Sequence, residues 1–353
     1  MLMALNEDNR LVMADYLIEK KQPFTCPACH SDVTLRRGNI KAPYFTHERD
    51  ASCQALLENE SELHVKGKLG LQTFLTSESG RPELEVYLSG VQQRPDLLMT
   101  FEGNKIAVEF QCSPLGLQRH LERNRGYRQS DLTVMWVLGE TYLRRKMTVE
   151  KIGQFAYYKT TIGLHLLFWR TQTAILEVHY QIRVNTGDDV TWRVARFKAF
   201  TDFQEWRKQS QLSIMDSRLT TAAISKVQRR ITYGIVRANP KSIRLQNNFY
   251  LHGMSLHQIP VWLWGTYEQL PLLREPAIVF AMLVWLNMKT TSLDCMTTEA
   301  YLKCCWLAIE QLGGPIHFPQ IQHAKPLYHQ LFLNLWQHLQ KSRDLKIKFG
   351  DVK

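Results

Sequence analysis

Arg94-Pro95-Asp96, followed thirteen residues after the aspartate by Glu109-Phe110-Gln111, restricts this chain more than any other segment. Asp96-Leu97-Leu98-Met99-Thr100-Phe101 and Ile106-Ala107-Val108-Glu109-Phe110-Gln111 have strand composition, and Glu102-Gly103-Asn104-Lys105 between them reads as a hairpin turn. Glu83 to Leu88 supplies a further strand just upstream. The hairpin brings one carboxylate from each strand to the same end of the pair. On the second strand Ile106, Val108 and Phe110 alternate with Ala107, Glu109 and Gln111, so Glu109 and Gln111 share a face. Two hard oxygen ligands on neighbouring strands suit Mg²⁺, which keeps most of its waters and takes one or two carboxylates from protein. A cation so held acidifies bound water and stabilises charge on a phosphate under attack. The plainer alternative is a pair of solvated strand ends.

A second metal pattern lies upstream. Cys26-Pro27-Ala28-Cys29 is a C-x₂-C knuckle, and His47 and Cys53 follow it. A tight turn lets two thiolates meet one ion, and the later pair completes a tetrahedral Cys₃His set of the kind Zn²⁺ accepts. The stretch Gly38 to Pro43 turns the chain between the two halves. His30 adjoins Cys29, and adjacent ligands are strained, so it is read as surface. The alternative is a pair of reduced cysteines in a small hairpin, with Cys53 unrelated.

Leu63, Gly67, Leu71, Phe74 and Leu75 recur at helical spacing, while Glu60, His64 and Lys68 stand four apart on another face. That face is either a solvated row with Glu-to-Lys pairs or part of a site. Pro114 to Arg128 predicts a helix rich in arginine. Thr133 to Leu138 and Leu164 to Trp169 are apolar runs suited to buried strands. Ala174 to Val184 and Val190 to Phe200 read as a hairpin around residues 185–189.

Asp96 with Glu109-x-Gln111 resembles the PD-(D/E)xK nuclease superfamily, with Gln111 where the family has lysine. Glutamine neither carries positive charge nor takes a proton, but it can orient water or phosphate. Tyr44-Phe45-x-His47, Glu60-Ser61-Glu62-x-His64-x-x-x-Lys68, Arg94-Pro95-Asp96, Glu109-Phe110-Gln111-Cys112-Ser113, Arg123-x-x-x-Tyr127 and Val134 to Leu138 follow in that order. The series is similar to the competence protein CoiA family over roughly the first 170 residues. The resemblance implies an α/β architecture: a small zinc-binding β module over 1–56, a restriction-endonuclease-like mixed sheet core over 57–200, and a mainly helical region over 201–353. It implies a metal-dependent nuclease acting during natural transformation on DNA, single-stranded or branched, that has entered the cytoplasm, alongside recombination proteins. In that fold Asp96 and Glu109 would hold Mg²⁺ or Mn²⁺, and Gln111 would position water. Glu62 and His64 would assist, and Lys68, Arg94 and Arg123 would hold phosphate. Glu60, Glu62 and Glu85 are the carboxylates available for a second ion. Gln111 also leaves room for a weakly active or inactive DNA-binding adaptor. Work in repair or phage defence is the third reading, because fold and metal site do not fix pathway.

Residues 201–353 hold 18 Lys+Arg against 10 Asp+Glu and so carry most of the chain's formal charge of +11. The surplus is densest from Arg207 to Arg244, where Lys226, Arg229 and Arg230 are the leading candidates for DNA phosphate, with Arg237, Lys241 and Arg244 beside them. A solvated helix with surplus charge is the alternative. No glycine-rich phosphate loop is visible, which argues against a nucleotide cofactor. Ile278 to Met288 is apolar for fewer than the roughly 20 residues needed to cross a bilayer, so it reads as a core helix, not a membrane insertion. Trp262, Trp264, Trp285, Trp306 and Trp336 read as core. Acids after Met1 to Leu5 argue against a signal peptide, and cysteines in a metal pattern suit a reducing cytoplasm.

Overall fold

A computed structural model describes residues 1–349 except 20–21, 39–42, 48–52, 54–60, 78–79, 185–189, 210, 212–220, 261–262, 264–269, 292–294 and 342–347. Glu60, Trp262, Trp264 and the connection at 185–189 therefore lie outside the described residues, as does most of the Gly38–Pro43 turn.

The first five strands are β1 (Met3–Leu5), β2 (Leu11–Met13), β3 (Phe24–Thr25), β4 (Asp32–Arg36) and β5 (Tyr44–His47). They form a sheet in the order β2-β1-β3-β4-β5. β4 shows the period-two pattern of a half-buried strand: Val33 and Leu35 face a small core with Ala4, Phe24 and Phe45, and Asp32, Thr34 and Arg36 face water. Cys26 and Cys53 belong to the same core.

Helix α1 (Glu62–Leu75) follows, capped by Ser61, whose hydroxyl accepts from the His64 amide. The strand expected over Glu83 to Leu88 stops after two residues, as β6 (Glu83–Leu84). Glu85 takes a left-handed φ of +51°, and its amide donates to the Asp96 carbonyl at 3.1 Å. That turn ends the ladder and leaves the Glu85 side chain buried.

β7 (Leu97–Phe101) and β8 (Asn104–Gln111) are antiparallel, with Leu97 opposite Val108 and Phe101 opposite Asn104. The turn is only Glu102-Gly103, with φ of +49° and +77°. Positive φ at both positions is what a two-residue turn between right-twisted strands requires. Asn104 and Lys105, expected in the turn, already belong to β8.

Helix α2 (Leu117–Gln129) carries the chain over to β9 (Thr133–Gly139), which lies parallel to β8. Next come α3 (Glu140–Leu143), α4 (Val149–Phe155), β10 (Tyr157–Lys159), β11 (Gly163–Arg170), β12 (Ile175–Val184) and β13 (Val190–Phe197). The resulting mixed sheet has the order β13-β12-β11-β9-β8-β7-β6, with β10 paired to β11. β8 sits inside it. Ala107, Val108, Glu109 and Phe110 are all buried, so both faces of the strand are covered and Glu109 is an interior residue. Helix α1 approaches closely: a β-carbon on Gly67 would fall 2.0 Å from the Phe110 ring. Glycine at this position lets the helix backbone close on β8 and brings its neighbours His64 and Lys68 to the end of β7.

The remainder is mainly helical: α5 (Phe200–Lys208), α6 (Thr221–Val236), α7 (Pro240–Tyr250), α8 (Ala277–Thr290), α9 (Thr298–Gln311) and α10 (Lys325–Lys341). Two short strands accompany them, β14 (Cys295–Met296) before α9 and β15 (Lys348–Phe349) after α10. α8 is buried all round from Ala277 to Met288, as an apolar core helix should be. Among the described residues no helix is long and apolar enough to cross a membrane.

The chain divides into two compact units that interleave along the sequence. One holds Met1–Lys146, Leu166–His179 and Val194–Ser210; the other holds Met147–His165, Tyr180–Arg193 and Gln211–Lys353. The five-stranded module and the β6–β9 part of the large sheet fall in the first.

Candidate functional site

Pairing of Leu97 with Val108 sets Asp96 beside Glu109 at one end of the β7–β8 hairpin. One Asp96 oxygen accepts from the Phe110 amide at 2.8 Å and lies 3.3 Å from His64 Nε2; the other lies 3.4 Å from Lys68 Nζ. His64 and Lys68 are one helical turn apart on α1. Lys68 is 0% exposed and pairs at 2.5 Å with Glu85, itself 1% exposed. Arg94 Nη1 reaches the other Glu85 oxygen at 3.6 Å. The Leu2 amide, just ahead of β1, also donates to Glu85, at 3.1 Å. On the far side Arg123 Nε donates to Glu109 at 3.1 Å, and Arg123 Nη2 and the Tyr127 hydroxyl contact the same oxygen. Arg123 and Tyr127 are one turn apart on α2, and Arg123 also donates to the Arg94 carbonyl at 3.2 Å.

These groups form one continuous network, buried at Lys68, Glu85 and Glu109 and half-buried elsewhere, of three carboxyls (Glu85, Asp96, Glu109) and three basic side chains (Lys68, Arg94, Arg123), with His64 at its edge. Low dielectric makes each pair strong and each missing partner costly. Burial alone would raise every carboxyl; the partners decide the outcome. At Glu85 the charges of Lys68 and Arg94 outweigh burial and bring it down to about 2. At Asp96 burial is again outweighed, by His64, Lys68 and the Phe110 amide, and the group stays well below the carboxylate range. At Glu109 burial wins over Arg123, the Asp96 charge adds to it, and the carboxyl is pushed up to about 7. Two adjacent acids are thus driven apart, one ionised and one poised to hold a proton near neutrality.

Several of the expected site residues are engaged with partners inside the protein. Glu62 turns to exposed Lys66 at 2.5 Å, since residues 62 and 64 point to different sides of a helix. Lys68 and Arg94, expected on phosphate, are engaged with Glu85, and Arg123, also expected there, is engaged with Glu109. The Gln111 amide donates to the Ser113 carbonyl at 2.7 Å. Glu85, named in sequence only as a spare carboxylate, sits at the centre. Tyr127 carries a role that its spacing of four from Arg123 hints at.

The Cys₃His cluster forms a separate centre. The ligand atoms of Cys26, Cys29, His47 and Cys53 lie within 4.8 Å of one another. Cys26 and Cys53 sulfurs are 4.0 Å apart, and Cys29 sulfur is 3.2 Å from His47 Nε2. Tetrahedral bonds of about 2.3 Å to sulfur and 2.0 Å to nitrogen place such atoms about 3.8 and 3.5 Å apart. The donor set and its spacing fit a metal such as zinc. Burial raises the Cys29 thiol, but Ser31, His47 and Cys53 outweigh it and lower it to about 6, towards the thiolate a metal needs. The knuckle is closed by the Cys26 amide on the Ser31 carbonyl and the His30 amide on the Cys26 carbonyl. His30 is exposed and stays out of the cluster.

In the helical unit Lys226, Arg229 and Arg230 are exposed along α6. They belong to a different unit from the buried network.

Comparison with known proteins gives two family matches. Residues 60–210 match "Competence protein CoiA, nuclease-like domain", and residues 11–56 match "Competence protein CoiA, N-terminal domain". The chain is 32% identical over 139 residues to "Competence protein CoiA" of Bacillus subtilis (strain 168). That alignment covers 39% of this chain and 37% of the Bacillus protein. No solved structure matches.

Proposed function

We propose, from the premise that the chain belongs to the competence protein CoiA family, that it is a metal-dependent DNA nuclease. Its work would be on DNA taken up in natural transformation and passed to recombination in the cytoplasm. The single observation that carries this reading is the Asp96–Glu109 pair, two adjacent carboxyls at a hairpin end with His64 and Lys68 beside them. Their hard oxygens suit Mg²⁺ or Mn²⁺. When bound, such an ion would acidify water and neutralise charge on the scissile phosphate.

The chain's own residues supply the rest. Asp96 stays ionised beside His64 and Lys68, and Glu109 holds a proton near neutrality. Lys68 is an interior lysine beside the acids and would take the electrostatic part that Gln111 cannot. The Gln111 amide would orient water once released from Ser113. Arg94 and Arg123 would meet phosphate only by exchanging a carboxylate for it. Lys226, Arg229 and Arg230 would gather DNA through its backbone. Zinc in the Cys₃His cluster would be structural, because four protein ligands leave no open position.

One observation favours the adaptor reading: every network carboxyl already has a basic partner, so a divalent ion would compete with Arg123 and Lys68 for these groups. Cleavage of single-stranded, duplex and branched DNA with Mg²⁺ or Mn²⁺ separates the two. Asp96→Ala and Glu109→Ala are expected to lose cutting while remaining folded. Equal cutting by wild type and both variants removes the nuclease assignment; binding without cutting in either metal supports the adaptor.

A further inference from the structure

The helical unit holds a cavity of 510 Å³ between α6, α7 and the start of α8. That lies within the range of about 300–1,000 Å³ typical of ligand sites. Its floor is apolar and buried: Leu245, Val279 and Leu283. Its rim is cationic, with Arg230, Arg237, Lys241 and Arg244 exposed around it. The acid on the rim, Glu275, is already held by Lys241 at 2.5 Å. Asn239 caps α7 and takes the Lys241 and Ser242 amides, so the charge here belongs to side chains and not to a helix end.

The rim continues along α6. Lys226, Arg230, Tyr233 and Arg237 stand at intervals of four, three and four and so share one face of the helix. Eleven residues at about 1.5 Å each make a track of about 16 Å. Tyr233 is 60% exposed, and the Arg237 guanidinium lies 4.6 Å from its ring centre. A cationic track with an exposed aromatic ring in its middle is how proteins hold an unpaired strand, phosphates on the charges and a base on the ring. A free nucleotide would need the cavity alone and would leave the track idle.

We infer that this cavity and the α6 track form a binding site for single-stranded DNA. Phosphates sit on Arg237 and Arg244, and a base stacks on Tyr233. The inference deepens the reading that the chain handles DNA, and it assigns the strand to a site separate from the buried carboxyl network.

The test uses the full chain and a fluorescein-labelled 20-mer of dT, followed by anisotropy without added divalent metal. Arg237→Ala/Arg244→Ala is expected to weaken binding at least tenfold and to flatten the log–log salt slope by about 1.4, two phosphates at about 0.7 each. Tyr233→Ala is expected to weaken binding of the 20-mer about tenfold and leave duplex binding within twofold. Lys303→Ala/Lys325→Ala, two exposed charges on α9 and α10, controls for net charge, and unchanged melting temperatures control for folding. Wild-type affinity in Arg237→Ala/Arg244→Ala, or an equal loss in Lys303→Ala/Lys325→Ala, overturns the site. Displacement of the strand by micromolar dTMP overturns it in favour of a free nucleotide. No metal-dependent cutting enters the readout, so a failed nuclease assay leaves this result standing, and the reverse.

Discussion

Lys68→Met tests the buried network most directly. Methionine keeps the side chain's length and apolar stem and removes only the ammonium. Nζ lies 2.5 Å from Glu85 and 3.4 Å from Asp96. At an effective dielectric of about 20 the nearer pair alone attracts by about 7 kcal/mol, and desolvation of both ions offsets much of that. The substitution is not symmetric in its cost. It leaves Glu85 interior, with Arg94 at 3.6 Å and the Leu2 amide as remaining partners. Breaking a buried pair from one side costs about 3–5 kcal/mol, which is the expected loss in the first unit. The pH sign follows from Glu85. Its carboxyl is lowered to about 2, so its contribution is present above the ordinary value of 4.5 and is lost as pH falls towards 2. Without Lys68, burial raises Glu85, so the deficit is largest at neutral pH and shrinks in acid as the orphan takes a proton. Adding Glu85→Gln to Lys68→Met should recover part of the loss. Guanidinium unfolding read through the tryptophans, with Trp136 and Trp169 both buried in this unit, measures each term. A loss under about 1 kcal/mol, or no recovery in the double variant, would refute a stabilising Lys68–Glu85 pair.

Glu109→Gln probes the opposite shift. The unfolded chain releases this proton near 4.5 and the fold keeps it to about 7, so wild-type stability falls as pH rises through that window, by about 3 kcal/mol. The variant should lack that decline; denaturation at pH 4 and pH 8 with an unchanged difference between the two proteins would contradict it. Metal analysis of the purified chain should find about one zinc per chain, as a four-ligand site implies, largely lost in Cys29→Ser and kept in His30→Ala. Equal loss in both would break the assigned ligand set.

Local chemistry made much of this legible. The β7–β8 hairpin announces itself through Glu102-Gly103 between apolar runs, and the Cys₃His cluster through spacing that only a tight knuckle satisfies. Ser61 ahead of a helical apolar repeat marks the start of α1. What stayed hidden was non-local. The strand from Glu83 fails at Glu85 because that carboxylate is drawn to Lys68 and Arg94, and neither partner is a sequence neighbour. Glu109 looks like a half-solvated strand residue by alternation, yet α1 packs on β8 at Phe110 while Arg123 and Tyr127 of α2 cover Glu109 on the other face, so both faces close. Arg123 has the composition of a solvated helix face. Only the crossing of α2 by the end of β8 turns it onto Glu109.

The Leu2 contact with Glu85 is made by main chain on one side. An amide hydrogen looks the same whatever residue bears it, proline alone having none. Surface side chains of the five-stranded module are therefore free to drift over evolutionary time without loosening its grip on the acid. Cutting the module away would, like Leu2→Pro within it, strip an interior carboxylate of a backbone donor. Descendants of this chain should keep the two pieces fused, however unlike their surfaces become.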